Sequence, residues 1–478
     1  MSALMRALRP ASGQLRSFLV SPRVFSSAAE AQPYDRQFRS SLSDPGYEKF
    51  EDLAYGEAPV ESPEPYSYVP PGRHHLFVPG PVNIHENVQR AMQVPGQNHR
   101  DPWFAGFYKK CLEDVKWLYQ SKKGTAIIFP GTGTGGWEAC LTNTLSPGDK
   151  VLTFRYGQFS HLWVDMMERL GLDVTCIDVR WGDGADEAKI EEILKADTKH
   201  EYKAVCVVHN ETTTGVTSDI KGCRDAIDAA GHPAMFFVDG VSSIGGSQFK
   251  FDEWGVDCAV TGSQKALSLP TGLGFVCVSD KALKAYETSK MKKVYYDFGD
   301  MLATNPRGSV PYTPVLPLLH GLRESIALMR AEGMRNVNKR HARLAAGTRE
   351  AAKAWGLELL CTNPRWYSDS LTVVKVPEGV DSCTIVKYAY SKYNMSLGVG
   401  LSQVKHKVFR IGHLGNMDEV MLLGALAATE MCLIDSGVSI VPGSGVGAAL
   451  SYFQKHKPLI PTRELPEGAE PGLGSLVG

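Results

Sequence analysis

The stretch Ala259-Val260-Thr261-Gly262-Ser263-Gln264-Lys265-Ala266 decides the fold of this chain. It has the pattern of a short apolar strand followed by a turn that carries a lysine, and an earlier apolar run at 235–238 ends directly before Asp239. Neighbouring parallel strands bring their carboxyl ends to one edge of an α/β sheet, which is where open sheets bind ligands. The sequence therefore predicts an amine and a carboxylate at the same sheet edge.

A lysine and an aspartate in this arrangement suit one particular chemistry. A lysine that forms a Schiff base needs a partly desolvated amine, and the small neighbours Gly262, Ser263 and Ala266 leave room for a cofactor. An acid opposite the amine matches the ring nitrogen of pyridoxal phosphate, where it would stabilise the positive charge of the ring. Taken one at a time, Lys265 and Asp239 would more often be solvated surface residues, so this interpretation needs a third element.

A glycine- and threonine-rich turn is that third element. Positions 125–141 have the pattern of a strand, the turn Gly131-Thr132-Gly133-Thr134-Gly135-Gly136, and the first turns of a helix. Backbone amides next to glycines, two hydroxyl groups and a helix N-terminus together form a site for an anion. We expect the ligand to be a phosphate group.

The same turn also fits a different class of protein, the nicotinamide-dependent oxidoreductases. Gly131, Gly133 and Gly136 stand at the G-x-G-x-x-G spacing of a dinucleotide-binding turn. That fold also needs an acid at the end of the next strand to bind the ribose hydroxyls. The next apolar run, 150–154, leads into Arg155 without an acid at that place. An NAD-dependent oxidoreductase is therefore a remoter alternative.

Apolar runs alternate with helical patterns between residues 150 and 274. Strands are predicted at 151–154, 174–177, 204–208, 234–238, 258–260 and 275–278, with helices at 161–170, 188–194 and 222–230. This order is typical of βαβ units and predicts an α/β fold with a mainly parallel sheet. A long helical pattern at 318–355 and a shorter one at 382–393 follow. We expect a cofactor-binding large domain at 71–317 and a small C-terminal α+β domain, with its linking helix, at 318–463.

The two ends of the chain differ in composition from its body. Residues 1–29 contain four arginines and no acid, which is typical of a mitochondrial targeting presequence; a plastid address is the main alternative. Residues 30–70 have the composition of a linker or N-terminal arm. The segment 464–478 has the composition of a tail and does not end in a peroxisomal tripeptide, which makes a peroxisomal location the less expected one.

Charge and cysteine content exclude several classes of protein. The 478 residues include 51 basic and 52 acidic ones, so no strong field favours nucleic acid or a membrane as a partner. The ten cysteines form no C-x-x-C pair, so neither a disulfide framework nor a metal site is indicated. We expect small-molecule substrates and other copies of the chain as partners, in a reducing compartment.

Five segments, in this order along the chain, resemble a known family. They are GTGTG at 131–135, HNETTTG at 209–215, VDGVSSIGG at 238–246, TGSQKALSLPTGLG at 261–274 and FRIGHLGN at 409–416. Together they look like the alanine-glyoxylate and serine-glyoxylate aminotransferases, which are class V aminotransferases of pyridoxal phosphate fold type I. The similarity extends from about residue 76 to residue 461 and is strongest to the plant-type serine-glyoxylate enzymes. It implies a mainly parallel seven-stranded sheet and pyridoxal 5'-phosphate as the cofactor.

The resemblance also implies roles for individual residues. Lys265 would be the Schiff-base lysine and Asp239 the partner of the pyridine nitrogen. Four residues match the phosphate-binding positions of the family: Thr132, Gly133, Thr134 and Gln264. Three more would surround the ring, with Phe159 stacked on it, Val241 on its opposite face and Thr212 at its phenolic oxygen. Arg410 would bind the substrate carboxylate, because a guanidinium forms two parallel hydrogen bonds with a carboxylate.

The resemblance further implies a homodimer whose active sites share groups between subunits. Thr313 matches a threonine that reaches the phosphate in the neighbouring subunit, whereas the tyrosine that often accompanies it is not matched, since Val310 stands near that place. The implied reaction moves the amino group of L-serine, or of L-alanine, to glyoxylate, in glyoxylate metabolism and photorespiration. The ordering of the possible donors, asparagine included, is left open by the sequence.

Two further alternatives keep the same scaffold. Cysteine desulfurases share the lysine and the aspartate but need a reactive cysteine on a mobile loop, for which Cys361 and Cys383 are the late candidates. A catalytically inactive assembly subunit is the other alternative. The intact Lys265, Asp239 and Arg410 argue against it, because an unused site has no physical need for all three.

Overall fold

A seven-stranded sheet forms the centre of the larger part of the protein. The computed structural model describes residues 72–457, so the predicted presequence at 1–29, arm at 30–70 and tail at 464–478 lie outside the described residues. With strands numbered in chain order, the sheet has the order β2 (Thr125–Gly131), β10 (Gly272–Val278), β9 (Cys258–Gly262), β8 (Met235–Asp239), β5 (Tyr202–Val208), β3 (Lys150–Arg155) and β4 (Asp173–Asp178). Strand β10 is antiparallel to both neighbours, and the other pairs are parallel. The predicted α/β fold with a mainly parallel sheet is confirmed.

The central strands are buried along their whole length. Every residue of β8 and of β9 is buried, which is what a parallel sheet covered on both faces requires, and it explains their continuous apolar runs. A short hairpin of β6 (Asn210–Glu211) and β7 (Val216–Thr217) follows β5. The helices of this part are α1 (Glu86–Met92), α2 (Pro102–Leu118), α3 (Gly133–Thr144), α4 (Gln158–Arg169), α5 (Glu187–Ala196), α6 (Ile220–Ala229), α7 (Asp280–Tyr286) and α8 (Phe298–Thr304).

The helix at the glycine-rich turn begins without the side-chain cap that helices α5 and α6 have. Helices α5 and α6 begin after Asp186 and Asp219, whose side chains accept hydrogen bonds from backbone N–H groups of the first turn. Such caps satisfy donors that the helix itself leaves unpaired. Helix α3 begins after Thr132, whose side chain makes no capping hydrogen bond. The first turn of α3 therefore keeps N–H donors that its own cap does not use.

A second sheet of four strands lies in the C-terminal part. Its order is β1 (His75–Phe77), β12 (Met395–Val399), β13 (Val408–Gly412) and β11 (Leu371–Lys375), with β1 parallel to β12 and the other neighbours antiparallel. Helices α10 (Met334–Ala354), α11 (Ser382–Tyr393), α12 (Glu419–Asp435) and α13 (Ser444–Lys455) contribute to a separate hydrophobic core with this sheet. Strand β1, which precedes the large sheet in the chain, thus belongs to the same sheet as strands that come after residue 370. The division at residues 317 and 318 stays a prediction.

The long helical pattern at 318–355 is two helices, so the expectation of one continuous helix is wrong. Helix α9 (Leu316–Glu332) ends directly before Gly333, and α10 begins directly after this glycine. Gly333 has φ 84°, a conformation that glycine adopts at little cost and other residues avoid. The predicted helix at 382–393 is confirmed as α11. None of the helices within residues 72–457 has both the length and the apolar character that crossing a bilayer requires.

Candidate active site

Lys265 lies in the turn after β9 with its amine buried inside the protein. The residue is 9% exposed, and Nζ donates a hydrogen bond to the carbonyl oxygen of Pro79 at 2.6 Å. Burial, together with the positive charge of Arg410, lowers the pKa of Lys265 to about 8, and Asp239 partly opposes both effects. An amine with such a pKa is neutral in a useful fraction of molecules near neutral pH, so it can act as a nucleophile and as a base.

Asp239 is the last residue of β8, the strand next to β9. Its Oδ1 accepts a hydrogen bond from Val241 N at 2.8 Å. Burial, together with the nearby charge of Glu211, raises the pKa of Asp239 to about 7, whereas the hydrogen bond from Val241 and the charge of Lys265 oppose this rise. A buried carboxylate of this kind is stabilised by a cation placed opposite it. A protonated ring nitrogen would supply that charge, so the site fits a pyridine ring.

The glycine-rich turn connects β2 to α3 and lies against β10, the end of β9 and Val241, which follows β8. A side chain at Gly133 would overlap Cγ2 of Val241, and a Cβ at Gly274 would lie 2.5 Å from the carbonyl oxygen of Thr132. Thr132 is half-buried at the helix start, and Thr134 is exposed two residues later. The glycines thus let the turn pack closely against its neighbours. The backbone N–H groups at the uncapped start of α3 remain available to bind an anion.

Gln264 reaches the same helix start from the other side. A Cβ at Gly262 would lie 2.9 Å from Oε1 of Gln264 and 3.5 Å from Gly133 N. Oε1 is buried and has no hydrogen-bond partner among residues 72–457. Rotation of the amide exchanges its oxygen and nitrogen, which would direct an N–H donor into the turn. These residues fit a phosphate group.

Phe159 and Thr212 lie on neighbouring segments at the carboxyl edge of the sheet. Phe159 is in the first turn of α4 and is half-buried, and Thr212 is buried in the β6–β7 hairpin. Gln158 N donates to Oγ1 of Thr213 at 3.1 Å, which joins the start of α4 to the hairpin. Val241 lies next to Asp239, to which its backbone N–H donates a hydrogen bond. The carboxyl edge thus carries an aromatic and an apolar side chain, and their placement on opposite faces of the cofactor ring stays a prediction.

Arg410 comes from the smaller sheet and enters the same site. It lies in β13 and is 7% exposed, with Nε donating to Val399 O at 2.8 Å and Nη1 to Thr212 O at 3.0 Å. Its charge contributes to the lowered pKa of Lys265, so the two groups are electrostatically coupled. The structure therefore brings a guanidinium, an amine and a carboxyl group together between the two sheets.

Thr313 lies on the surface, next to Tyr312, whose ring stacks on that of Tyr295. It is exposed, in the segment that precedes α9 (Leu316–Glu332). Its predicted role requires a second subunit and stays a prediction.

Three features of the site were not predicted from the sequence. Glu211 is fully buried beside Asp239, although it stands within the segment HNETTTG, where an acid between buried residues could have been noticed. Pro79 and Gly80 contact Lys265, and Pro79 is 186 residues away from it in the chain, so no local pattern predicts such a contact. The hydroxyl of Tyr296 would lie 2.9 Å from a Cβ at Gly131, so this tyrosine covers the glycine-rich turn.

The late cysteines do not have the properties of a reactive thiol. Burial raises the pKa of Cys361 to about 11, and burial followed by the charge of Asp381 raises the pKa of Cys383. Both thiols therefore stay protonated near neutral pH, whereas sulfur transfer needs a thiolate. Asp381, Cys383 and His406 also form a surface group whose ligand atoms lie within 4.8 Å of one another. His406 Nδ1 already pairs with Asp381 there at 3.0 Å.

The fold and the site together define a pyridoxal-phosphate-dependent transferase of fold type I, with Asp239 at the end of one strand and Lys265 in the turn after the adjacent parallel strand. The chain belongs to the class V aminotransferase family, whose profile matches residues 83–404. Its cofactor is pyridoxal phosphate. The chain is thus an enzyme, a class V aminotransferase.

Relatives of this family match most of the chain. A serine–glyoxylate aminotransferase of Methylorubrum extorquens is 57% identical over 391 residues, which is 81% of this chain and 97% of the relative. A serine–glyoxylate aminotransferase of Arabidopsis thaliana is 52% identical over 82% of this chain and 98% of its own length. An L-aspartate–glyoxylate aminotransferase of Paracoccus denitrificans is 49% identical over 80% of this chain and 96% of its own.

Solved structures show the same architecture. The ureidoglycine–glyoxylate aminotransferase of Bacillus subtilis superposes with a TM-score of 0.74 at 29% identity, covering 81% of this chain and all of that one. A pyridoxamine–pyruvate aminotransferase of Mesorhizobium loti has a TM-score of 0.75 at 26% identity, covering 81% of this chain and 99% of its own. A cysteine desulfurase of Thermococcus onnurineus, at 16% identity and a TM-score of 0.60, shares the fold alone.

Proposed function

We propose that this enzyme transfers the amino group of L-serine to glyoxylate and releases hydroxypyruvate and glycine, with L-alanine as a second donor that yields pyruvate. The observation that carries the proposal is the convergence of Lys265, Asp239 and Arg410 in one buried site. The choice of serine is supported by the 57% and 52% identity to serine–glyoxylate aminotransferases. The reaction belongs to glyoxylate metabolism, and photorespiration is the setting that we propose for it.

Each residue has a separate task in this reaction. Bound pyridoxal phosphate supplies an aldehyde and an electron-accepting ring. Arg410 binds the carboxylate of the amino acid and later that of glyoxylate, which fixes both substrates in the same orientation. Lys265 takes the proton from the α-carbon of the donor, because its lowered pKa leaves the amine neutral in part of the molecules. Asp239 keeps a proton on the ring nitrogen by its negative charge.

A donor comparison tests the proposal directly. Purified protein loaded with pyridoxal phosphate is mixed with glyoxylate and with L-serine, L-alanine, L-asparagine or L-aspartate in turn, and glycine and the matching oxo acid are quantified. We expect the highest kcat/KM with L-serine, accompanied by equal amounts of hydroxypyruvate and glycine. A higher kcat/KM with aspartate or asparagine would contradict the assignment of the donor.

The same preparation tests the alternative chemistries. Incubation with L-cysteine should release neither sulfide nor persulfide, because the thiols of Cys361 and Cys383 have raised pKa values. Sulfide release that disappears in Cys361→Ser or Cys383→Ser would support a desulfurase. Reduction of NAD by serine or hydroxy acids would support the oxidoreductase alternative, and we expect none.

We also propose that the enzyme is a homodimer with shared active sites. The surface around Thr313 supports this, because Tyr312 stacks on Tyr295 with ring centroids 5.1 Å apart and Val294 is 77% exposed. Exposed apolar and aromatic groups in one place are typical of protein contact surfaces. We expect light scattering to give twice the mass of one chain, and Thr313→Ala to weaken binding of pyridoxal phosphate without changing that mass. A monomer that retains full activity would refute the shared site.

We propose a mitochondrial location on the composition of residues 1–29, with a plastid as the alternative. The near balance of 51 basic and 52 acidic residues supports the absence of nucleic acid or membrane partners. Residues 1–29 fused to a fluorescent protein should accumulate in mitochondria. Accumulation in plastids or peroxisomes would overturn the proposed location.

A further inference from the structure

The backbone of residues 78–81 lies directly against the amine of Lys265. Pro79 is buried and its carbonyl oxygen accepts the hydrogen bond from Nζ at 2.6 Å. A Cβ at Gly80 would lie 2.6 Å from Nζ and 2.7 Å from Cε of the lysine, which is closer than carbon atoms approach one another. Gly80 also has φ 120°, a conformation that favours glycine. Two independent features therefore favour glycine at position 80, and one of them is the close contact with Lys265.

The 78–81 segment is also fixed to the strand that carries Arg410. A Cβ at Gly412, two residues beyond Arg410 in β13, would overlap the carbonyl group of Val78 and lie 2.7 Å from Pro79 N. The segment enters from β1, which pairs with β12 of the same sheet. The 78–81 segment thus contacts both β13, the strand that carries Arg410, and the amine of Lys265.

The side chain of Asn83 closes the loop that contains the 78–81 segment. Its Oδ1 accepts from Leu76 N at 3.1 Å, and its Nδ2 donates to Leu76 O at 2.8 Å. Asn83 is 5% exposed, so the side chain that makes both hydrogen bonds is buried. Buried polar groups that satisfy each other in this way fix a loop in one conformation. The position of the Pro79 carbonyl is therefore predetermined by the fold.

We propose that Pro79 is a positioning residue whose carbonyl holds the amine of Lys265 whenever the lysine is not joined to the cofactor. With pyridoxal phosphate bound, exchange would break the bond between its aldehyde carbon and Nζ, form a bond from that carbon to the substrate nitrogen, and move two protons from this nitrogen to Nζ. Lys265 would then leave as a neutral amine, and Pro79 O would accept a hydrogen bond from one of its two N–H groups. The inference deepens the proposed function and rests on the aminotransferase chemistry, not on the identity of the donor.

A backbone carbonyl suits this task better than an acid would. It accepts a hydrogen bond but carries no full charge, so it does not favour the ammonium form in the way that a carboxylate does. With one N–H fixed by Pro79, the lone pair of the neutral amine remains available to take a proton from the substrate. Misplacement of such a group by about 1 Å costs on the order of a hundredfold in rate.

The test compares covalent capture with simple binding. Cofactor-free wild type and the variants Gly80→Ala and Asn83→Ala are mixed with pyridoxal phosphate, and borohydride-trapped attachment to Lys265 is followed by mass spectrometry over time. Binding of pyridoxamine phosphate is measured in parallel, because this form needs every contact except the bond to the lysine. We expect capture to slow about tenfold or more in both variants, while affinity for pyridoxamine phosphate changes by less than about threefold.

Gly96→Ala is the matched control, since its new methyl group meets no atom within 4 Å. We expect it to behave as wild type in both measurements. If Gly80→Ala does not fold, Asn83→Ala still decides, because its change lies outside the site. Unchanged capture in Asn83→Ala, or capture and pyridoxamine phosphate binding that fall together, overturns the inference. Neither measurement uses serine or glyoxylate, so a failed donor assignment is distinguishable from a failed role of Pro79.

Discussion

The carboxyl group of Glu211 fills the space beside the α-carbon of Gly157, where any added Cβ would overlap Cδ of the glutamate. Oε2 of Glu211 accepts from Ser160 N at 2.9 Å, and Oε1 accepts from Thr213 N at 3.0 Å. The side chain is completely buried, and burial raises its pKa. One acid thus ties the start of α4 to the β6–β7 hairpin.

Gly157→Ala should therefore disturb the site through Glu211. Gly157 has φ 174°, which alanine adopts freely, so the effect comes from the contact and not from backbone strain. Overpacking of this kind lowers the free energy of unfolding by about 1–3 kcal/mol. We expect weaker binding of pyridoxal phosphate as well, because Phe159 lies at the start of α4 and Thr212 in the hairpin, and Glu211 joins these two segments. Urea unfolding and cofactor titration measure both effects.

Gly96→Ala serves as the comparison for Gly157→Ala, because it adds the same methyl group in open space. Equal unfolding free energies for the two variants would show that Glu211 moves aside without cost.

Lys265→Ala should abolish both turnover and covalent attachment of the cofactor. The variant removes the amine that the proposed chemistry uses to form the bond to the aldehyde and to move the proton. After borohydride treatment and dialysis, the variant should lose the absorbance of the cofactor while wild type keeps it. Lys281→Ala is the control, since Lys281 also donates to a backbone carbonyl, that of Ala234 at 2.8 Å. Absorbance retained by Lys265→Ala after this treatment would count against the assignment.

The sequence predicted elements well where burial is uniform. Strand β8 is apolar at every position before its terminal Asp239 because both faces of the sheet are covered, and a run of that kind is visible without a structure. The break between α9 and α10 could not be seen as easily. Apolar spacing continues through it, and one glycine does not by itself end a helix, so the turn depends on the tertiary packing of the two helices.

The candidate site was predictable to the extent that its groups follow strand ends. Lys265 and Asp239 do so, and Arg410 was assigned through the resemblance. Glu211 and Pro79 act through contacts between distant segments, which periodicity and spacing do not report. The predicted roles of Thr313 and of the phosphate-binding threonines remain predictions, because they concern a second subunit and a bound group.

Arg410→Lys should weaken substrate binding more than it slows the chemical steps. Lysine keeps the charge but lacks the planar pair of donors that matches a carboxylate. We expect the KM for glyoxylate to rise about tenfold, which corresponds to about 1.4 kcal/mol, with a smaller change in kcat. Steady-state kinetics with varied glyoxylate measure this, and Arg365→Lys, at an exposed ion pair, is the control. A large fall in kcat at unchanged KM would show that Arg410 does not bind the substrate carboxylate.

Asp239→Asn should change how the stability of the cofactor-free protein depends on pH. Burial raises the pKa of Asp239 to about 7, above its value of about 3.9 in an unfolded chain. Between these values the folded state binds more protons than the unfolded state, so the contribution of Asp239 to stability is complete below about pH 4 and is lost as the pH rises through about 7. A pKa that differs by one between the folded and unfolded chain corresponds to about 1.4 kcal/mol of stability. Asparagine does not titrate, and the variant should lack this loss.

Urea unfolding of the cofactor-free proteins at intervals between about pH 5 and pH 7.5 measures the difference, because that window holds most of the titration of Asp239. We expect the unfolding free energy of wild type to fall relative to Asp239→Asn as the pH rises. The exposed variant Asp225→Asn should follow wild type. Bound pyridoxal phosphate should flatten the wild-type curve, because a protonated ring nitrogen beside Asp239 keeps the carboxylate ionised. Parallel curves for wild type and Asp239→Asn would mean that Asp239 is not held protonated by burial, and the need for a cationic ring opposite it would disappear.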